Sequence, residues 1–239
     1  MYTTSMQLRE RQKSVLDAVV REHIRTARPV ASQDIARASF GVGSATIRNE
    51  MQELDELGYL EQPHTSAGRV PTDKGYRFFV DYLLADLALG AREQKVIQEV
   101  FREQDEEEPF VKELSRAISH MTGAYAAAGS FADEYFYNMG LAEVLAEPEF
   151  QEVPHLAAFG RLIDVLDDEI RGMYEEKKIS ARQVFIGDEN PMPEARQYSM
   201  VVSSWKHPAG FEGFVTLIGP KRMDYRKCLS LMQFLEEGI

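Results

Sequence analysis

Apolar side chains recur every three or four residues near the start of the chain, and this spacing predicts an α-helix over about residues 6–26. The apolar positions are Leu8, Val15, Leu16, Val19 and Ile24. Pro29 follows the end of this helix, because the residue before a proline is disfavoured in the helical region. Ser32 is a good N-cap, so we expect a short second helix from there through Ala36.

A third helical pattern follows a turn that contains Gly41 and Gly43. We expect Ser44 to cap this helix and Gly58 to end it, since glycine is common just past a helix C-terminus. Its buried face is marked by apolar residues at i, i+4 and i+7, namely Ile47, Met51 and Leu54. Three helices, the last two joined by a short turn, make a helix-turn-helix pattern.

The first two turns of the third helix carry hydrogen-bonding groups on the outward face: Thr46, Arg48, Asn49 and Gln52. Side chains of this kind recognise base edges, arginine binding guanine and asparagine or glutamine binding adenine. The acids Glu53, Asp55 and Glu56 are confined to the other end, and helix-turn-helix proteins dock the N-terminal end into the major groove. An ordinary solvated helix face stays open as the alternative on this helix alone.

A β-hairpin wing is predicted directly after the third helix, which favours DNA binding. Residues 59–62 form one short strand, residues 63–68 the tip, and Arg69 and Val70 the returning strand. The tip and its flank carry groups that suit phosphate or minor-groove contact, with no acid among them: His64, Thr65, Ser66 and Arg69.

Thr72 is expected to cap a helix after the wing. Lys74 and Arg77 lie in its first turns and either contact phosphate or are solvated. The apolar stripe of this helix favours domain packing or a dimer contact over a ligand site: Tyr76, Phe79, Val80, Leu83 and Leu87.

The later part of the chain predicts an α+β domain with a small antiparallel sheet. Helical periodicity is found over residues 91–103, 109–128, 153–177 and 223–236. Runs typical of β-strands cover residues 182–186, 200–205 and 214–218, with a hairpin turn at 206–210. Residues 221–225 form either a basic anion pocket or a structural corner from strand to helix, and we favour the corner.

Charge is distributed unevenly over the 239 residues, which have a formal net charge of -12 from 27 basic and 39 acidic side chains. Residues 1–84 hold 11 of each sign, so the later part carries 16 basic and 28 acidic side chains. This asymmetry indicates two modules with different partners. No apolar run approaches the ~20 residues of a membrane span, and the N-terminus lacks a secretory signal, so we expect a cytoplasmic protein without membrane contact.

The sequence predicts no catalytic site, metal site or cofactor. The histidines are scattered without metal-ligand spacing, and no phosphate-binding glycine loop occurs. The acid run at residues 103–108 fits a solvated linker better than a metal site. Cys228, the single cysteine, excludes an intramolecular disulfide, and its apolar helix face favours a buried inert thiol over a redox switch.

A long segment resembles the signature of the heat-inducible transcription repressor family HrcA: GSATIRNEMQELDELGYLEQPHTSAGRVPTDKGYRFFVD, residues 43–81. LRERQKSVLDAVVREHIRTARPVAS, residues 8–32, is similar to the family's first helix and the entry to the second. Parts of the family's GAF-like effector domain are resembled by residues 139–150, 186–190 and 213–225. The implied architecture is α+β, an N-terminal winged helix-turn-helix followed by a reduced GAF-like domain with a small antiparallel sheet and helices.

The resemblance implies a dimeric repressor of chaperone genes that binds double-stranded DNA at an inverted-repeat operator and is kept active by the chaperonin GroE. Ala31 and Gly43 depart from the family's usual glycine and serine, near the turn. Between Gly129 and Met139 the chain has too few residues for the family's inserted dimerisation domain. We therefore expect a winged helix over 1–84, a helical linker or dimerisation segment over 85–129, and a reduced effector domain over 130–239.

The predicted DNA-binding residues are Ser44, Thr46, Arg48, Asn49, Gln52, His64, Thr65, Ser66, Arg69, Lys74 and Arg77. The sequence leaves two other functions open. The C-terminal domain of a winged-helix regulator could sense a small molecule, which an apolar cavity behind the sheet would favour. The winged helix could also bind a protein, against which the acid-free wing argues.

Overall fold

The structure is a computed structural model. It describes residues 8–37, 41, 43–64, 67–84, 87–132, 135–151, 153–175 and 182–237. The chain divides into two compact units, Met1–Ala85 and Asp86–Ile239. Among the described residues, no helix is both long enough and apolar enough to cross a bilayer.

The first unit is a winged helix-turn-helix, as predicted. Its helices are α1 (Glu10–Thr26), α2 (Ser32–Arg37), α3 (Ser44–Glu56) and α4 (Asp73–Phe78), and α4 continues as a π-helical turn over Phe79–Leu83. The wing strands are β1 (Leu60–Glu61) and β2 (Val70–Pro71), paired antiparallel. Thr72 caps α4, as expected, because its hydroxyl accepts a hydrogen bond from the Gly75 amide at 3.1 Å.

The ends of α3 follow from backbone geometry. Gly58 ends the helix as predicted, with φ of 76°, in the left-handed region that glycine adopts at little cost. The predicted cap at Ser44 is wrong, because Ser44 is the first helical residue and the N-cap is Gly43. Gly43 has extended backbone angles, and its carbonyl accepts the amides of Thr46 and Ile47 at 3.0 and 3.3 Å.

A third short segment joins the wing sheet at Val30, which lies between α1 and α2. Val30 and Arg69 exchange two backbone hydrogen bonds, each 2.9 Å long. This close approach requires Gly68, since an added Cβ there would lie 2.2 Å from the Val30 carbonyl oxygen. Through this pairing, the wing is attached to the segment between α1 and α2.

The second unit is α+β, as predicted. Its helices are α5 (Ala91–Glu103), α6 (Glu107–Thr122), α7 (Leu141–Leu145), α8 (Val153–Glu175) and α9 (Tyr225–Glu237). Its strands are β3 (Tyr125–Ser130), β4 (Phe136–Met139), β5 (Gln183–Ile186), β6 (Tyr198–Lys206) and β7 (Glu212–Pro220). They form an antiparallel sheet in the order β4-β3-β7-β6-β5. Short 3₁₀ turns cover Pro148–Gln151, Gly187–Glu189 and Pro193–Ala195.

The predicted helix over residues 109–128 is wrong beyond Thr122. Gly123 has φ of 69° and ends α6, and the small residues after it form the fully buried strand β3. Small side chains suit this strand because helices cover both of its faces. The three predicted β-runs therefore belong to a five-stranded sheet, to which β3 and β4 add two strands.

Helix α8 packs on one face of the sheet, where large buried side chains fill the core. Phe159 of α8 makes edge-to-face contacts with Tyr125 and Tyr198, at 5.6 and 5.2 Å between ring centroids. Helices α6 and α9 pack on strands of the same sheet. The predicted sheet is therefore covered by helices.

The segment from Lys221 to Tyr225 is a corner from strand β7 to helix α9, as favoured from sequence. The guanidinium of Arg222 is buried and binds the carboxylates of Glu147 and Glu149, the latter at 2.6 Å. Protein carboxylates thus occupy the position that an anion would take.

Candidate nucleic-acid interface

Helix α3 presents its polar face to solvent. Arg48, Asn49 and Gln52 are exposed, and Ser44 and Thr46 are half-buried. The opposite face is in the core, since the apolar residues Ile47, Met51 and Leu54 are buried. The spacing of apolar residues therefore oriented this helix correctly, while the contact of its polar face with DNA stays a prediction.

The first turn of α3 favours an anion. It contains no acidic residue, and no side chain caps its N-terminus. The first amides of a helix lack acceptors within the helix and carry a partial positive charge. This end of α3 is thus suited to a phosphate group.

Arg48 is available for binding. Within the described part of the chain, neither Arg48 nor Asn49 has a hydrogen-bond or ion-pair partner for its side chain. Gln52 donates a hydrogen bond to Glu56 at 3.1 Å, one turn further along the helix.

Two acids of α3, Glu50 and Glu53, are paired with cations inside the unit. Glu50 is buried and lies 3.0 Å from Arg9 and 3.7 Å from Arg11, both on or beside α1. Glu53 binds Arg9 as well and accepts a hydrogen bond from Gln12 at 3.0 Å. Glu50 is not among the residues predicted from the sequence, although its place three residues after Ile47 puts it on the buried face.

The cations of the wing and of α4 also have partners within the unit. Arg69 binds Asp55 of α3 at 2.6 Å, and Lys74 donates to the Leu57 carbonyl at 2.7 Å. Arg77 binds Asp81 at 3.1 Å, along its own helix. His64 is exposed at the wing, whereas the predicted residues Thr65 and Ser66 lie outside the described residues.

A groove of about 420 Å³ runs between α3 and the wing. Its lining includes Arg48 and Gln52 on the helix side, and Gln62, Ala67 and Arg69 on the wing side. Of the predicted DNA-binding residues, the structure therefore brings Arg48, Gln52 and Arg69 to one concave surface.

The described residues hold no cluster of three or more His, Cys, Asp or Glu side chains that could bind a metal ion. Cys228 is buried in α9, as predicted, and burial raises the pKa of its thiol. A thiol in this state is a poor nucleophile and a poor ligand.

Two family models match the chain. The model of the "HrcA protein C terminal domain" matches residues 76–229. The model of the "Winged helix-turn-helix transcription repressor, HrcA DNA-binding" matches residues 7–81.

Curated relatives match part of the chain at high identity. A "Heat-inducible transcription repressor HrcA" of Symbiobacterium thermophilum is 46% identical over 115 residues, covering 47% of this chain and 34% of the relative. One of Herpetosiphon aurantiacus is 56% identical over 96 residues, covering 40% of this chain and 27% of the relative. These matches thus span about a third of the relatives' length.

Two further comparisons extend over nearly the whole chain. The HrcA repressor of Carboxydothermus hydrogenoformans is 25% identical over 333 aligned positions, covering 96% of each chain. That alignment is longer than this chain of 239 residues, so the relative contains segments without a counterpart here. A crystal structure described as a hypothetical protein shares the fold, with a TM-score of 0.72, 20% identity and 97% coverage of both chains.

Proposed function

This chain belongs to the HrcA family of heat-inducible transcription repressors, and we propose that it represses the chaperone genes of its host by binding an inverted-repeat operator as a dimer. The observation that carries the proposal is the exposed, unpaired Arg48 and Asn49 on the acid-free half of α3. The family match makes the N-terminal unit a DNA-binding repressor domain and the protein a regulator without enzymatic activity.

Base recognition is assigned to the polar face of α3. Arg48 is suited to donate two hydrogen bonds to guanine, and Asn49 or Gln52 to pair with the edge of adenine. Thr46 supports these contacts in the same turns. The N-terminal end of α3 enters the major groove, as in other helix-turn-helix proteins.

Backbone contacts are assigned to the periphery of this face. The Ser44 hydroxyl and the first amides of α3 bind a phosphate. His64, Thr65 and Ser66 at the wing tip hold the backbone or the minor groove. Arg77 is the remaining candidate for a phosphate contact.

Dimerisation follows from the size of the site. One recognition helix covers only a few base pairs, and a two-fold pair of chains matches an inverted repeat. We propose that the helices of residues 85–129 form the dimer contact. We propose GroE as the partner that keeps the repressor active. The acidic second unit repels DNA, so contact is confined to the first unit.

The test is a nuclease footprint on the chaperone promoters of the host, with sedimentation of the same sample. We expect protection of an inverted repeat and two chains per duplex. A monomer that leaves every promoter unprotected would overturn the proposal. A cytoplasmic location follows from the function and is checked by fractionation of the host cells.

A further inference from the structure

The wing and the start of α4 bind the C-terminal end of α3 through three polar contacts, which we name the helix–wing clamp. The contacts join Arg69 to Asp55, Lys74 to the Leu57 carbonyl, and Thr72 to the Gly58 carbonyl. Their lengths are 2.6, 2.7 and 2.7 Å. All three therefore hold the wing side of the unit to the same end of the recognition helix.

The ion pair of the clamp is partly withdrawn from water. The side chain of Arg69 is 20% exposed and that of Asp55 is 33% exposed. An ion pair in this position is screened less by salt than a fully exposed one. The backbone of Arg69 is fixed as well, by its two hydrogen bonds to Val30, so its side chain reaches Asp55 from an anchored point.

Lys74 is held by two interactions at once. Its ammonium group donates to the Leu57 carbonyl and lies 4.3 Å from the centre of the Tyr59 ring. A cation at a helix C-terminus is stabilised by the partial negative charge of the last carbonyls. Lys74 is thus bound to the C-terminal end of α3 in the protein without DNA.

The clamp fixes the relation between the two walls of the groove. Arg48 and Gln52 lie on the α3 wall, and Gln62 and Ala67 lie on the wing wall. We propose that Arg69 and Lys74 are positioning residues that set the angle of the wing to the recognition helix, and that they do not contact DNA. This inference rests on the proposed DNA-binding function. Arg69 and Lys74 thus hold the wing in place and do not make the phosphate contacts predicted for them from the sequence.

Neutralising Asp55 gives opposite results for the two roles. If Arg69 positions the wing, Asp55→Asn loosens the groove, fewer molecules hold the binding-competent geometry, and the apparent affinity falls with that fraction. If Arg69 binds phosphate, Asp55→Asn frees its guanidinium and removes a charge that repels DNA, so the affinity rises. The sign of the change therefore identifies the role.

The experiment uses the full chain and a duplex that the unmodified protein selects from a random-sequence pool, with a scrambled duplex of the same composition. We expect Asp55→Asn to weaken binding to the selected duplex about two- to fivefold, the effect of losing a partly exposed ion pair. Binding to the scrambled duplex does not fall, since it does not require the groove geometry. Asp17→Asn is the matched control, because it removes the acid of the Arg21 ion pair within α1 without touching the wing, and it leaves selectivity unchanged.

Salt dependence and a double variant complete the test. Arg69→Gln and Lys74→Gln leave the slope of log affinity against log salt unchanged, whereas loss of a phosphate contact lowers it by about one. The double variant Asp55→Asn/Arg69→Gln binds the selected duplex no more weakly than the weaker-binding of the two single variants. Tighter binding by Asp55→Asn, or a reduced slope for Arg69→Gln, overturns the inference.

A measurement without DNA separates this inference from the proposed function. Spin labels at Ala45→Cys and Glu61→Cys, both exposed positions, report the distance between α3 and the wing. Asp55→Asn broadens that distance distribution even in a protein that selects no duplex. An unchanged distribution overturns the clamp, whereas failure to select any duplex overturns the proposed function alone.

Discussion

Replacing Gly68 by alanine tests how the wing is attached. A Cβ at this position would lie 2.2 Å from the carbonyl oxygen, 2.4 Å from the carbonyl carbon and 2.9 Å from the amide nitrogen of Val30. All three atoms belong to the backbone, so no change of side-chain rotamer relieves the overlap. The wing strand must move away from Val30.

The cost follows from the bonds that this movement breaks. Val30 and Arg69 exchange two backbone hydrogen bonds of 2.9 Å each. At about 0.5–1.5 kcal/mol for each bond, the free energy of unfolding of the first unit falls by about 1–3 kcal/mol. For a unit of this size, that corresponds to a decrease in Tm of roughly 5–20 °C.

Scanning calorimetry of the full chain measures this change, with Gly160→Ala as the control. Gly160 is exposed in the middle of α8, and a Cβ there meets nothing within 4 Å. The control should stabilise the second unit by about 0.5–1 kcal/mol, because alanine favours the helix over glycine. A Gly68→Ala chain that melts at the temperature of the unmodified protein would refute the contact between the wing and Val30.

Three further predictions concern buried groups. Glu50→Gln should lower the free energy of unfolding by about 1–3 kcal/mol, because the buried Glu50 loses its charge-assisted hydrogen bonds. The control Glu10→Gln, at an exposed position, should change it by less than about 0.5 kcal/mol. Equal urea midpoints for the two variants would contradict this prediction. Cys228 should resist a thiol reagent at pH 8 until the chain unfolds, and fast labelling of the native protein would contradict its burial. Burial raises the pKa of Tyr125 and Tyr198 from 10.0 to about 12. The stability that their neutral hydroxyls contribute is therefore present below pH 10 and is lost as the pH rises to about 12. An ultraviolet titration in which every tyrosine ionises near pH 10 would contradict this prediction.

The sequence predicted the first unit well because local signals agree there. The apolar spacing in α1 and α3, the cap at Thr72 and the glycine after α3 each act over a few residues. Gly43 was missed as the cap because serine is the commoner residue at that position, and only the backbone angles distinguish the two.

The second unit was harder because its central strand lacks a periodic signal. β3 is rich in alanine and is buried on both faces, so neither alternation nor helical spacing marks it. The short strand β4 is recognisable only through its pairing with β3. Both were missed, while the longer β6 and β7 were found with slightly shorter bounds.

The partners of the cationic side chains depend on contacts between distant positions. Asp55 and Arg69 are 14 residues apart, and Arg9 meets Glu50 across 41 residues. No local pattern reports such pairs, so the sequence indicated which side chains carry charge but not which of them are already neutralised. The structure leaves Arg48 exposed while it engages Arg69, Lys74 and Arg77.

Arg48→Ala tests the central claim most directly. Binding of the unmodified chain and the variant to the inverted-repeat duplex is measured at one fixed salt concentration, with the exposed Arg92→Ala of the second unit as the control. Loss of a two-bond contact to guanine is worth about 1–3 kcal/mol, so the account predicts roughly 5- to 150-fold weaker binding for Arg48→Ala and no change for the control. Unchanged affinity of Arg48→Ala for the operator would contradict the assignment of α3 as the helix that recognises DNA.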